Sequence, residues 1–139
     1  MARLVEATGA AQIAKVRELI AEYARGVGEP CCFEDFAAHK LFLLDDDAGC
    51  VALRLLDPQT AEMKRLYVRA AHRGKGLGRV LAQAAIDAAR AAGCTRILLD
   101  TLPDMRVAQS LYGKLGFRSI GPYLDKPTPD ALCFELRLS

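Results

Sequence analysis

Three glycines alternate with other residues in Arg73-Gly74-Lys75-Gly76-Leu77-Gly78-Arg79, with a cation before, among and after them. Leu77, Val80, Leu81, Ala84, Ala85 and Ala88 continue at helical spacing, so the loop runs directly into a helix. Residues 61–69, just before it, read as a strand. A glycine loop between strand and helix can cradle a phosphate. The first N–H groups of a helix lack intrahelical partners, and the helix dipole favours an anion there. Glycine lets the backbone approach closely, and Arg73, Lys75 and Arg79 add positive charge. The P-loop string G-x-x-x-x-G-K-[ST] is absent, and these glycines miss the G-x-G-x-x-G dinucleotide spacing. What remains is Arg-x-x-Gly-x-Gly on a strand-to-helix junction. The plainer alternative is a tight turn carrying a solvated charge run.

Other chemistry is sparse. The five cysteines, Cys31, Cys32, Cys50, Cys94 and Cys133, form no C-x-x-C pair, so neither a zinc ribbon nor a thioredoxin motif is read. No metal site is read from His39 and His72, the only histidines. Lys and Arg total 19 against 17 Asp and Glu, too balanced to argue for nucleic acid on charge. No apolar run reaches the roughly 18 residues of a membrane span. The opening Met1-Ala2-Arg3-Leu4-Val5-Glu6 lacks the apolar stretch of a signal peptide. With reduced thiols, a cytoplasmic location is expected. At 139 residues, 52% of them hydrophobic, a single folded domain over 1–139 is expected.

The elements that must position the loop follow from periodicity. Leu4 to Ala7 is a short strand. Thr8 offers an N-cap for a helix carrying Ile13, Val16, Leu19, Ile20 and Tyr23 on its apolar face, ending near Gly26-Val27-Gly28. Phe33 to Lys40 reads as a shorter helix. Residues 40–44 and 50–56 read as a hairpin around Asp45-Asp46-Asp47-Ala48-Gly49. The strand over 61–69 alternates imperfectly, as a bulge near Arg65-Leu66 would cause. Gly93 closes the helix after the loop, residues 96–100 form a buried strand, and Asp104 caps a helix with Ala108, Leu111 and Leu115 inward. Residues 117–120 and 131–138 are closing strands. Hairpins mixed with helical crossovers make the class α/β, or α+β with a mixed sheet.

Arg73, Gly76 and Gly78 at that junction resemble the acetyl-coenzyme A pyrophosphate loop of the GNAT superfamily of N-acetyltransferases. Glu62-Met63-Lys64-Arg65-Leu66-Tyr67-Val68 resembles the family's fourth strand. Ala108, Leu111-Tyr112 and Gly116-Phe117 resemble its A-x-x-L-Y-x-x-x-G-F helix and strand entry. The three segments fall in the family's order over residues 62–117. The resemblance implies a GNAT-like acyl-CoA N-acyltransferase fold, a twisted mixed sheet with helices on both faces and the coenzyme wedged where strands four and five part.

It also implies an acyltransferase that moves the acetyl group of acetyl-CoA directly to a primary amine in a ternary complex, without metal. Alkylammonium groups are mostly protonated at neutral pH, so a base is required. Glu62, eleven residues before Arg73, occupies the place of the base in some members. Its other reading is a surface carboxylate paired with Lys64 or Arg54. Tyr112 matches the tyrosine that protonates the departing sulfur, its other reading being packing at the edge of the Ala108, Leu111 and Leu115 stripe. From reference values, full transfer from tyrosine to thiolate is uphill by about 2 kcal/mol, so a concerted transfer or a hydrogen bond is expected. The backbone amide of Leu66 is expected at the thioester carbonyl and that of Val68 at the pantetheine arm, with Tyr67 alongside. The cofactor-binding set is then Leu66, Tyr67, Val68, Arg73, Gly74, Lys75, Gly76, Leu77, Gly78 and Arg79. Where many members have Asn, this chain has Met105, which removes one contact to the pantetheine.

The acceptor site is expected from residues 22–38 and the loop 121–130, with Glu22, Glu34, Asp35, Asp125 and Asp130 available to a cationic amine. A small-molecule amine is favoured over a protein amine. A non-catalytic acyl-CoA sensor or interaction module stays open. Nucleic-acid binding through Arg65, Arg69, His72, Arg73, Lys75 and Arg79 lacks interleaved aromatics. No membrane partner is expected, and the C-terminal strands are a candidate surface for a homodimer.

Overall fold

The computed structural model describes residues 3–27, 39–45, 47–103, 105–123 and 131–138. Strand β1 spans Leu4–Glu6 and helix α1 Ala10–Val27. Strands β2 (His39–Leu44), β3 (Gly49–Asp57) and β4 (Thr60–Val68) follow as an antiparallel meander. A single 3-10 turn at Ala70–His72 leads to the glycine loop and helix α2 (Leu77–Ala91). Strand β5 (Arg96–Thr101), helix α3 (Arg106–Leu115), β6 (Arg118–Ile120) and β7 (Leu132–Arg137) complete the chain. One seven-stranded sheet runs in the order β1-β2-β3-β4-β5-β7-β6, with β4 and β5 parallel and the other pairs antiparallel. The sheet is therefore mixed, as expected. The short helix read at 33–40 falls mostly outside the described residues; its last two, His39 and Lys40, belong to β2.

Two apolar layers flank the sheet. Val51, Leu53, Ala61, Met63, Ile97 and Leu99 face α2 and α3, meeting Leu81, Ala85, Ile86 and Tyr112. Leu41, Leu43, Cys50 and Ala52 face α1 and meet Val16, Leu19 and Ile20. The cap of α1 differs from the expected one. The carbonyl of Gly9 accepts from Ile13, and Gln12 Oε1 reaches back to the N–H groups of Thr8 (3.2 Å) and Gly9 (3.3 Å). A glutamine in the first turn satisfies those donors, so the Thr8 hydroxyl is not needed as a cap.

Two features of β4 shape everything downstream. Cys50 pairs with Tyr67 while Ala52 pairs with Lys64, so Arg65 and Leu66 together oppose Val51. This is a β-bulge, with Arg65 in the left-handed region at φ 56°. It inverts the alternation: Ala61 and Met63 face the α2 layer before it, and Leu66 and Val68 do so after it. Tyr67 is thereby delivered to the α1 face. The second feature is a split. The pairing of β4 with β5 covers only Thr60–Glu62 against Arg96–Leu98. Beyond Glu62 the two strands diverge. Close approach of β3 at the bulged end requires Gly49, because a Cβ there would stand 2.6 Å from the carbonyl oxygen of Tyr67.

Candidate active site

The split opens into a groove of about 880 Å³. Leu66, Tyr67 and Val68 form one wall, the glycine loop and the start of α2 the mouth, and residues 105–108 with Leu111 the opposite wall. Glu22, Tyr23 and Gly26 of α1 close the remaining side. Of the residues expected to hold the coenzyme, Leu66, Tyr67, Val68, Arg73, Gly74, Gly76, Leu77, Gly78 and Arg79 line this groove. Lys75 is exposed on the loop and does not belong to the lining.

The mouth presents free helix N–H groups beside arginines. Gly74 and Gly76 sit at φ 80° and 73°, a region that costs L-residues with a Cβ about 1 kcal/mol or more. That conformation makes Gly76 the N-cap of α2, and no side chain caps the helix there. The N–H groups of Leu77, Gly78 and Arg79 therefore have no intrahelical acceptor at the point where the groove opens. Arg73 is not a loose charge. Its Nε donates to the carbonyl of Val68 at 2.9 Å and its guanidinium lies 5.9 Å from the Tyr67 ring centroid. It thus ties the loop to the end of β4.

The α1 side is held by one partly exposed network. Tyr67 donates to Glu22 Oε2 at 2.5 Å, and Arg69 Nε donates to the same oxygen at 3.1 Å. Arg69 also reaches Asp47 at 3.1 Å and Glu18 at 3.3 Å. The hydrogen bond from Tyr67, aided by Arg69, holds the Glu22 carboxyl below its ordinary value despite partial burial. Burial and the facing carboxylate raise the Tyr67 hydroxyl. Arg69, a member of the cationic set considered for nucleic acid, is thus occupied by three carboxylates. The Tyr23 ring meets Tyr67 edge-on at 5.7 Å.

Glu62 is 1% exposed, so the surface-carboxylate reading is corrected. It does pair with Arg54, its partner across the β3–β4 ladder: Arg54 Nε donates to Oε1 at 2.6 Å, and Lys64 Nζ stands 3.8 Å from the same oxygen. These partners are what allow a carboxylate on the inner sheet face. Its other oxygen accepts a 2.6 Å hydrogen bond from Tyr123. Burial first, and then that bond, push the Tyr123 hydroxyl well above the ordinary tyrosine value. Glu62 is also the last β4 residue paired to β5, at the apex of the split. Sequence reading did not single out Tyr123; the only signal was its position in the loop assigned to the acceptor.

Tyr112 is 6% exposed, with its ring 5.6 Å from Phe117 and 6.2 Å from Phe134. It belongs to the core under α3 rather than to the groove lining. Burial raises its hydroxyl, with smaller contributions from Tyr23 and Asp100. The cap of α3 is also corrected: the N-cap position is Met105, without a side-chain cap, and Asp104 lies outside the described residues. Met105 lines the groove, and its Sδ accepts from Thr101 (3.3 Å) and Tyr23 (3.7 Å). Glu34, Asp35, Asp125 and Asp130, named for the acceptor, also lie outside the described residues. No helix among the described residues is long and apolar enough to cross a membrane.

Residues 13–117 match the acetyltransferase (GNAT) family pattern. An uncharacterised N-acetyltransferase of Schizosaccharomyces pombe is 38% identical over 92 residues, 66% of this chain and 56% of that protein. One from Bacillus subtilis is 34% identical over 83 residues, 58% of this chain and 55% of that protein. The chain thus spans about half the length of these curated relatives. In three dimensions, a Bacillus subtilis acetyltransferase solved in complex with CoA superposes with a TM-score of 0.79 at 21% identity, covering 100% of both chains. The family match over most of the chain, on a fold whose split and uncapped helix end coincide, establishes that this chain belongs to the GNAT acetyltransferase family.

Proposed function

We propose that the chain transfers an acetyl group from acetyl-CoA directly to a primary amine, a small molecule, in a ternary complex. The observation that carries this reading is the uncapped, glycine-led N-terminus of α2 at the mouth of a groove made by the β4–β5 split. The pyrophosphate would lie on the amides of Leu77, Gly78 and Arg79, with Arg73 and Arg79 nearby. A groove of this size suits a long, narrow ligand, and the CoA held by a relative of the same fold supports that choice.

The pantetheine arm would run along β4 past Val68 and Tyr67 and bring the thioester carbonyl to the amide of Leu66. The bulge at Arg65-Leu66 supports this assignment, since two residues against one leave backbone groups outside the ladder. Glu62 would take the proton that the ammonium must lose. Tyr112, with its hydroxyl raised by burial, would act as a hydrogen-bond donor to the sulfur rather than ionise ahead of C–S cleavage. Glu22 lines the groove from α1 with its carboxylate held by Tyr67 and Arg69.

Calorimetric titration with acetyl-CoA, followed by an amine screen reading thiol release and acetylated product by mass, tests this. Binding together with transfer to small amines is expected. Transfer only to protein lysines would overturn the small-molecule assignment, and binding without any transfer would make the chain an acyl-CoA binder.

A further inference from the structure

Glu62 has a geometric difficulty as a base. It is 1% exposed, and both of its oxygens are engaged, one by Arg54 and one by Tyr123. At that burial the carboxylate is closed to an ammonium arriving directly from solvent. Tyr123 is only partly buried, its hydroxyl is 2.6 Å from Glu62 Oε2, and it stands on the β6–β7 connection, over the strand pair at the apex of the split. It is the one hydroxyl among the described residues that joins this carboxylate to the outside.

We propose that Tyr123 is a catalytic residue that relays the acceptor's proton to Glu62. The proposal rests on the acetyl-transfer reading above and assigns within it the route that the proton takes. The ammonium of the acceptor donates to Tyr123 Oη as the phenolic proton passes to Glu62 Oε2, so Tyr123 stays neutral throughout. The freed nitrogen lone pair then forms the C–N bond with the acetyl carbon, and the C–S bonding pair leaves on sulfur. A proton remaining on nitrogen passes to that sulfur, giving the amide and the free thiol. Glu62 returns its proton to solvent by the same route. The hydroxyl's raised affinity for its proton suits a group that exchanges protons without resting as a phenolate. Groups facing the pair are Arg54 from β3, Lys64 from β4, Asp100 from β5 and Cys133 from β7.

The test uses the full chain, acetyl-CoA and two probe acceptors: a set of primary alkylamines, and hydroxylamine, which is already unprotonated at neutral pH. Tyr123→Phe is expected to bind acetyl-CoA as wild type does, which reports that it folds. It is expected to lose roughly 100-fold or more in turnover with alkylamines and far less with hydroxylamine. Glu62→Gln should lose as much, and the double variant no more than either, because the two act as one unit. The wild-type rate in mixed light and heavy water should curve, reporting two protons in flight, and become linear in Tyr123→Phe. A linear wild-type plot, or equal losses with both acceptors, would leave Tyr123 a packing residue and overturn the relay alone. Wild-type protein that binds acetyl-CoA yet acetylates neither probe would overturn the transfer reading itself, and the relay with it.

Discussion

Gly76→Glu, set beside Gly76→Ala, separates the charge at the mouth of the groove from its conformation. A Cβ at Gly76 meets nothing within 4 Å, so neither variant clashes. Both must hold φ 73°, which costs an L-residue about 1 kcal/mol of stability. That cost falls on folding and not on binding, provided the loop keeps its shape. Alanine should therefore lower the urea midpoint and change the Kd for acetyl-CoA by no more than about threefold. Glutamate adds a carboxylate beside the uncapped amides of α2. At about 6 Å and an effective dielectric near 20, repulsion of one phosphate charge is about 3 kcal/mol, or roughly 100-fold in Kd. Calorimetry at low salt reads this directly, and the gap between the variants should narrow at about 1 M salt, where screening is short-ranged. A folded Gly76→Glu protein that binds within threefold of Gly76→Ala would refute the placement of a phosphate on this loop.

Arg54→Met leaves Glu62 buried with only Tyr123 and a Lys64 ammonium 3.8 Å away. A loss of about 2–4 kcal/mol in urea unfolding is expected, and a loss below about 0.5 kcal/mol would show the pair to be energetically idle. Tyr112→Phe keeps the ring contacts with Phe117 and Phe134, so stability should change by less than about 1 kcal/mol. Its turnover should fall at least tenfold with acetyl-CoA affinity unchanged, and an unaltered rate would confine Tyr112 to the core. Glu22 and Glu135 both titrate below the ordinary value of 4.5, Glu135 because three arginines outweigh its burial. Their folded values lie below the unfolded ones, so their stabilisation is complete above that value and is lost as pH falls through the lowered ones. Urea midpoints taken from about pH 6 to about pH 3 should fall less steeply in Glu22→Gln than in wild type.

What could be read from the sequence was local. The glycine loop, the helix after it, the hairpin at 40–56 and even the bulge near Arg65-Leu66 announce themselves through spacing within a few residues. The environment of Glu62 did not. Its burial depends on Arg54 eight residues before it and Tyr123 sixty-one residues after it, brought together by the β3–β4 ladder and the β6–β7 connection. A charged residue in an alternating strand reads as surface-facing unless its partners are known, and no periodicity connects positions so far apart. The α1 cap shows the same limit on a smaller scale. Thr8 has the right chemistry, but Gln12 already satisfies the donors. The pairing of Glu62 with Arg54 across the hairpin was legible; its burial and its bond to Tyr123, which come from elements far apart in the chain, were not.

The split in the sheet has a consequence for solubility and selectivity alike. Past Glu62, β4 and β5 each leave one flank without a strand partner in the middle of a seven-stranded sheet. Unsatisfied strand edges on the outside of a protein recruit other strands, with aggregation as the hazard. Here the freed end of β4 borders the groove through Leu66, Tyr67 and Val68, with α1 on one side and the start of α2 and residues 105–108 with Leu111 on the others. Another sheet cannot enter edge-on. A single extended molecule can, since neighbouring strands require only about 4.8 Å of spacing. The freed end of β4 is therefore a place where the slender, extended guest proposed above could lie, and where a second sheet could not.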